Sequence, residues 1–161
     1  WNGKPFIARV ADAMRPHVDR LVVASRHDID PSAYAAVVPD ASILRDPTPF
    51  PGPVDGLRRA LADDASERVV VAGCDSPALS PGVVGRLLDA AATGAGLSVL
   101  DHEGSTIYSV FAGITRLVKA RCQQDRLRHV TSGAARVTVT GGGFNVNAQR
   151  EALGVCPPES S

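Results

Sequence analysis

The sequence predicts an α/β fold: a mostly parallel sheet with helices on both faces. Three observations carry the prediction. Strand-like and helix-like segments alternate across residues 5–92. The strand-like runs are apolar throughout rather than alternating, the pattern of strands covered on both faces. And 161 residues with 44% hydrophobic and 21% charged content suit one domain with a real core.

Each element follows in order. From Lys4 to His17, the residues Phe6, Ile7, Val10, Ala11 and Met14 recur at helical spacing behind Pro5. Leu21-Val22-Val23-Ala24 is a short buried strand ending at Ser25-Arg26, and a weak helical piece covers Ser32 to Val37. Ser42-Ile43-Leu44 is a second strand ending at Asp46. The stretch from Asp46 to Gly56 holds four prolines and two glycines, so it reads as a loop of fixed shape. Val54, Leu57, Ala60 and Leu61 mark a helix, and Val69 to Gly73 is the clearest strand, running straight into Cys74-Asp75-Ser76-Pro77. Ser80 caps a helix with Pro81 at its first position and Val83, Val84, Leu87, Leu88 and Ala91 on its apolar face. Strands are expected at Gly96–Leu100, Thr106–Phe111 and Val137–Val139, and helices at Arg116–His129 and Asn147–Leu153.

Composition narrows the function. Seventeen basic residues balance seventeen acidic ones, so no bulk positive field exists to drive nucleic-acid binding. No apolar stretch approaches the ~18–20 residues of a membrane span. Cys74, Cys122 and Cys156 lack CxxC spacing, which fits free thiols in a reducing cytoplasm. The four histidines show no metal-ligand spacing, and no Ser-His-Asp, HExxH or GxSxG pattern supports a hydrolase.

Open parallel sheets bind ligands at the carboxyl ends of their strands. Two such ends carry carboxylates, Asp75 after Val69–Gly73 and Asp46 after Ile43-Leu44-Arg45. A carboxylate fixed there can hold Mg²⁺, which takes one or two carboxylates plus phosphate oxygens and waters. It can equally cap the following turn or helix. Gly141-Gly142-Gly143 lacks a following helix or GK[ST] and reads as a turn. In an extended segment Asn145 and Asn147 point to one side; alternatively, Asn147 caps the last helix.

In this order the pieces resemble the molybdenum cofactor guanylyltransferases, a MobA-like branch of the nucleotidyltransferases with a Rossmann-like fold. The matching stretches are Asn2-Gly3-Lys4-Pro5, Leu21–Arg26, Arg45-Asp46, Pro51-Gly52-Pro53 with Gly56-Leu57, Cys74-Asp75-Ser76-Pro77, and Phe144-Asn145-Val146-Asn147. The resemblance implies transfer of GMP from GTP to molybdopterin with release of pyrophosphate. It makes Asp75 the catalytic, Mg²⁺-binding residue, with Asp46 and Ser25 also at the nucleotide. It implies that Gly52 and Gly56 let backbone approach the substrates, while Asn145 and Asn147 line the pterin side. GTP, molybdopterin and molybdoenzyme maturation proteins are the implied partners. Relatives that transfer a cytidylyl group tend to carry Asp-x-Asp where this chain has Asn145-Val146-Asn147, which favours the guanylyl branch. A non-catalytic pterin- or nucleotide-binding relative is the alternative from another class.

The chain also departs from the family. The family's first strand and Gly-rich, triphosphate-gripping loop precede the Asn-Gly-Lys-Pro element, and these residues start at Trp1 just before it. Lys4 belongs to the Gly-Lys-Pro turn and is not that loop's lysine. The expectation is a single domain over residues 1–155 short of its first strand, with a disordered tail at 156–161. Removing a central strand leaves apolar edges on both neighbours.

Overall fold

The computed structural model describes residues 3–49 and 52–140. Helix α1, Phe6–Met14, passes through a 3₁₀ turn, Arg15–His17, into β1, Leu21–Ser25. Helix α2, Pro31–Ala35, then leads to β2, Ala41–Arg45, which pairs parallel to β1 from Leu21↔Ala41 to Ser25↔Arg45. The short α2 is started by Asp30, whose Oδ1 accepts the Ser32 N–H at 2.9 Å, with Pro31 at the first position. An Arg15 fork ties the end of α1 to the entry of β2, bonding Asp40 at 2.7 and 2.8 Å. Hydrogen bonding to that guanidinium holds the Asp40 carboxyl down at about 2.

Helix α3, Pro53–Leu61, leads to β3, Arg68–Ala72, and α4, Pro81–Thr93, leads to β4, Leu97–His102. Ser80 caps α4 as its sequence predicts, its Oγ accepting the Val83 N–H at 3.4 Å. Then β5, Ser105–Ile114, helices α5, Thr115–Arg121, and α6, Leu127–Val130, and strand β6, Ala135–Val139, complete the described elements. The second sheet has the order β3-β5-β4-β6, with β5 antiparallel to both its neighbours and β6 parallel to β4. The reversal at β5 comes from its connection. Glu103 and Gly104 both have positive φ, 50° and 85°, the geometry of a two-residue hairpin turn, and such a turn joins only antiparallel strands. Asp101 braces the turn, accepting the Gly104 N–H at 3.0 Å.

Helices cover both faces of this sheet, as predicted. On one face α4 sets Val83, Val84, Leu87 and Ala91 against Leu100, Val110, Ala112 and Val137, with Val10 and Ala13 of α1 beside them. On the other, Val54, Leu57 and Leu61 of α3 join Val118, Cys122 and Val130 over Leu97, Val99 and Phe111. Leu87, Leu97, Leu100 and Phe111 are fully buried, each contributing about 1.5–3 kcal/mol by leaving water. Gly113 shows how tightly the second layer fits. A Cβ there would stand 2.6 Å from Leu97 Cδ1 and 2.7 Å from Val118 Cγ2, both on fully buried side chains. Gly113→Ala is therefore expected to cost about 1–3 kcal/mol in a urea unfolding series. An unchanged midpoint would show the layer to be looser than this.

Two expectations are corrected. The helix expected over Arg116–His129 breaks into α5 and α6. Arg58 of α3 takes the Cys122 carbonyl with two guanidinium bonds, at 3.1 and 2.7 Å, just where the helix would have continued. The following Gln123-Gln124-Asp125-Arg126 has no apolar residue to keep a stripe on the core. The expected buried strand at Leu21–Ala24 is in place but only partly covered, with Ala24 exposed and Leu21, Val22 and Val23 half-buried.

The cause is a division in the sheet. Among the described residues β1-β2 and β3-β5-β4-β6 are separate sheets. A cavity of about 960 Å³ lies between them, lined by Leu21–Ala24 of β1 and Arg68–Ala72 of β3. Apolar side chains of α1 (Ile7, Val10, Met14) and α3 (Leu57, Leu61) line it as well. Arg20 and Asp64, which precede β1 and β3, form an ion pair at 3.6 Å near its amino end. At the other end the Tyr34 phenol, after β1, is pushed up by burial and secondarily by Cys74, after β3. The two facing strands therefore run in the same direction. Asn2, Pro51 and everything from Gly141 onward, including the expected Asn147–Leu153 helix and the 156–161 tail, lie outside the described residues.

Candidate active site

The carboxyl ends of β1, β2 and β3 meet at one mouth of the cavity. Asp46 follows β2 directly and lines that mouth. Its backbone N–H donates to the Ser25 carbonyl at 2.9 Å, carrying the β1–β2 ladder one residue further. Its carboxylate, with only 14% of its surface exposed, accepts from Arg59 Nη1 at 2.9 Å. Arg59 Nη2 donates to the Arg45 carbonyl, so one guanidinium holds the strand end and the first loop residue together.

The two glycines of the loop have different reasons to be glycine. Gly52 has φ 90°, a left-handed conformation that costs other residues, and it stands at the N-cap of α3 with Pro53 next. Gly56 lies inside α3, where a Cβ would sit 3.1 Å from Ala24 Cβ and 4.0 Å from Asp46 Oδ1. Its bareness lets α3 lie close on the end of β1. Both line the cavity.

Asp75 stands one turn past β3 and is half-buried. Its place depends on Gly73, where any Cβ would run into Asp75 Oδ1 and would lie 3.3 Å from Ser109 Cβ and Oγ. The Gly73 N–H donates to the Ser109 carbonyl at 2.9 Å, fixing the strand end against β5. Gly73 is absent from the sequence-level candidates, although a Gly closing a β-branched run directly before Cys-Asp-Ser-Pro was its signal. Gly73 and Cys74 line the cavity beside Asp75. The Cys74 thiol is pushed up by loss of solvent around the sulfur and then by the Asp75 carboxylate. It is therefore held as a thiol near neutral pH, a poor nucleophile.

Ser25 and Ser76, the residues at the ends of β1 and just past Asp75, are 1% and 0% exposed. Their hydroxyl oxygens have no hydrogen-bond partner among the described residues. Among those residues no group of three or more His, Cys, Asp and Glu is arranged to hold a metal. Of the sequence-predicted residues, Asp46, Gly52 and Gly56 come together in the lining and Asp75 lies beside it. Ser25 is buried at the end of β1 and is not part of the lining, and Asn145 and Asn147 fall outside the described residues.

Comparison with known proteins decides the family. The family model for the MobA-like NTP transferase domain matches residues 1–142. The chain belongs to this family. The transferase domain is 34% identical over 98 residues to a probable molybdenum cofactor guanylyltransferase of Haloferax mediterranei, covering 60% of this chain and 46% of that one. It is 35% identical over 91 residues to the molybdenum cofactor guanylyltransferase of Pseudomonas paraeruginosa, covering 56% and 44%. The chain spans about half the length of the curated relatives it matches. In fold the transferase domain is similar to 2-C-methyl-D-erythritol 4-phosphate cytidylyltransferase from Thermus thermophilus, with a TM-score of 0.63 and 19% identity over 92% of this chain and 88% of that one. It is also similar to glucosyl-3-phosphoglycerate synthase from Mycobacterium tuberculosis, solved with Mn²⁺, UDP-glucose and phosphoglyceric acid, at TM-score 0.63 and 17% identity over 98% and 78%. These likenesses show the nucleotidyltransferase-type Rossmann-like fold. Among the described residues no helix is long and apolar enough to cross a membrane.

Proposed function

We propose that the protein transfers GMP from GTP to molybdopterin, forming the guanine dinucleotide cofactor and releasing pyrophosphate. A terminal phosphate oxygen of molybdopterin bonds to the α-phosphorus of GTP. The bond from that phosphorus to the bridging oxygen breaks, and its electron pair leaves with pyrophosphate. No protein nucleophile is needed, in keeping with a Cys74 held as thiol. Positioning and charge neutralisation supply the rate.

The observation that carries this reading is the meeting of three strand ends at one mouth, with Asp46 in its lining and Asp75 beside it. Asp75 is the residue that would hold Mg²⁺. A single carboxylate is enough for this ion when phosphate oxygens and waters fill its other positions. Bound there, the ion neutralises charge on the phosphates. Asp46 contacts the nucleotide. Ser25, at the end of β1 beside Asp46, is placed at the nucleotide by the family resemblance. Gly52 and Gly56 give the substrates access to backbone, and Asn145 and Asn147 serve the pterin side. Adding EDTA is expected to halt pyrophosphate release from GTP, and excess Mg²⁺ to restore it. Release that continues undiminished in EDTA would remove the metal from the reading.

The same reading extends to the domain boundaries. Residues 1–155 form a single domain completed by one more parallel strand, seated in the cavity between β1 and β3 and leading into a phosphate-binding loop. Two facing strand edges of five residues each, an apolar lining from α1 and α3, and half-covered valines on β1 support it. The product would then pass to molybdoenzyme maturation proteins in the cytoplasm.

A further inference from the structure

We propose that Arg59 is a positioning residue for the nucleotide site, acting through Asp46. The inference rests on the nucleotide-contacting role of Asp46 given above. Arg59 and Gly56 are three residues apart on α3 and so share a face. That face meets the ends of β1 and β2: Gly56 comes close to Ala24, and Arg59 reaches both Asp46 and the Arg45 carbonyl. The clamp has two chemical consequences.

First, Arg59 Nη1 occupies Asp46 Oδ1, while Oδ2 accepts from no donor among the described residues. One carboxylate oxygen is thus left for a ligand, on a residue that lines the cavity. Second, the guanidinium compensates the carboxylate's charge in a setting where Asp46 is 14% exposed and Arg59 32%. A compensated carboxylate is a poor second ligand for a divalent cation and a good acceptor for neutral donors. The group it suits is an N–H or O–H of the nucleoside part of the substrate. The cation is left to Asp75. The adjacent Arg58 shows the contrast, since it spends its guanidinium on Asp55, three residues earlier, and on the Cys122 carbonyl, a structural tether away from this mouth.

The test uses the intact protein with GTP, Mg²⁺ and molybdopterin. Arg59→Met is expected to raise KM for GTP about tenfold with kcat within about twofold, the signature of lost binding that is equal in ground and transition states. Arg59→Lys, which keeps the charge and loses the fork, should recover part of that rise. The Mg²⁺ concentration for half-maximal rate should be unchanged in both. Asp46→Ala is run alongside. If it raises KM while Arg59→Met only lowers the melting temperature, Arg59 is a tether and the inference is overturned alone. If Asp46→Ala leaves KM unchanged, the nucleotide role of Asp46 fails and the inference falls with it. A shifted Mg²⁺ requirement in Arg59→Met would also overturn it, by placing Asp46 on the cation.

Discussion

Replacing Asp75 by Ala is expected to lower kcat for nucleotidyl transfer by about 10²–10³-fold, because the charge that builds on the transferring phosphate loses its protein anchor. Folding should be nearly untouched. Asp75 is half-buried at a strand end and belongs to neither core cluster, so a stability change within about 0.5 kcal/mol is expected. Asp75→Asn keeps the shape and the hydrogen-bonding reach of the side chain while removing its charge. It should therefore lose nearly as much rate as the alanine variant. Pyrophosphate release measured beside a thermal melt separates the two effects. Full activity in either folded variant would mean that the strand-end carboxylate only caps the following turn.

The second large effect concerns the divided sheet. Seating a strand between β1 and β3 is expected to raise the melting temperature by about 10 °C or more relative to the 161-residue chain. The estimate follows from completing the burial of several Val and Leu side chains at about 1.5–3 kcal/mol each. Leu21, Val22, Val23, Val69 and Val71 are the half-buried residues involved. Hydrogen exchange locates the change. Amides of Leu21–Ser25 and Arg68–Ala72 should exchange far more slowly once the strand is present, while those of β4, already between two strands, should change little. An unchanged melting temperature and unchanged exchange at both edges with such a strand supplied would contradict the assignment of the cavity as a strand seat.

Much of this architecture is written locally. The β-branched runs at Leu21–Ala24 and Val69–Ala72, and the Ser80-Pro81 start of α4, specify their elements within a few residues, and the structure has them there. The strand-end rule picked out Asp46 and Asp75 for the same reason, because a carboxylate directly after an apolar run needs no long-range information to be noticed. What the sequence hid is non-local. The break between α5 and α6 depends on Arg58 reaching the Cys122 carbonyl across 64 positions. The antiparallel β5 depends on two positive φ values at Glu103 and Gly104, and only the glycine advertises one. The partial exposure of β1 could not be read from its own residues, since an apolar strand looks the same whether or not its neighbour is in place. The family resemblance makes Gly56 an opening for substrate, and the structure adds a packing reason, the 3.1 Å approach to Ala24. Arg59 was silent, because an arginine on a helix means little until its strand-end partner is seen.

The most direct test of guanylyl transfer is a competition assay. The intact protein is supplied with molybdopterin, Mg²⁺, and GTP and CTP at equal concentration, and the dinucleotide product is identified by mass alongside pyrophosphate. The expected result is one pyrophosphate per guanine dinucleotide formed, with the cytosine product a minor fraction. A protein that forms neither dinucleotide, or forms the cytosine product as readily as the guanine one, would contradict the account.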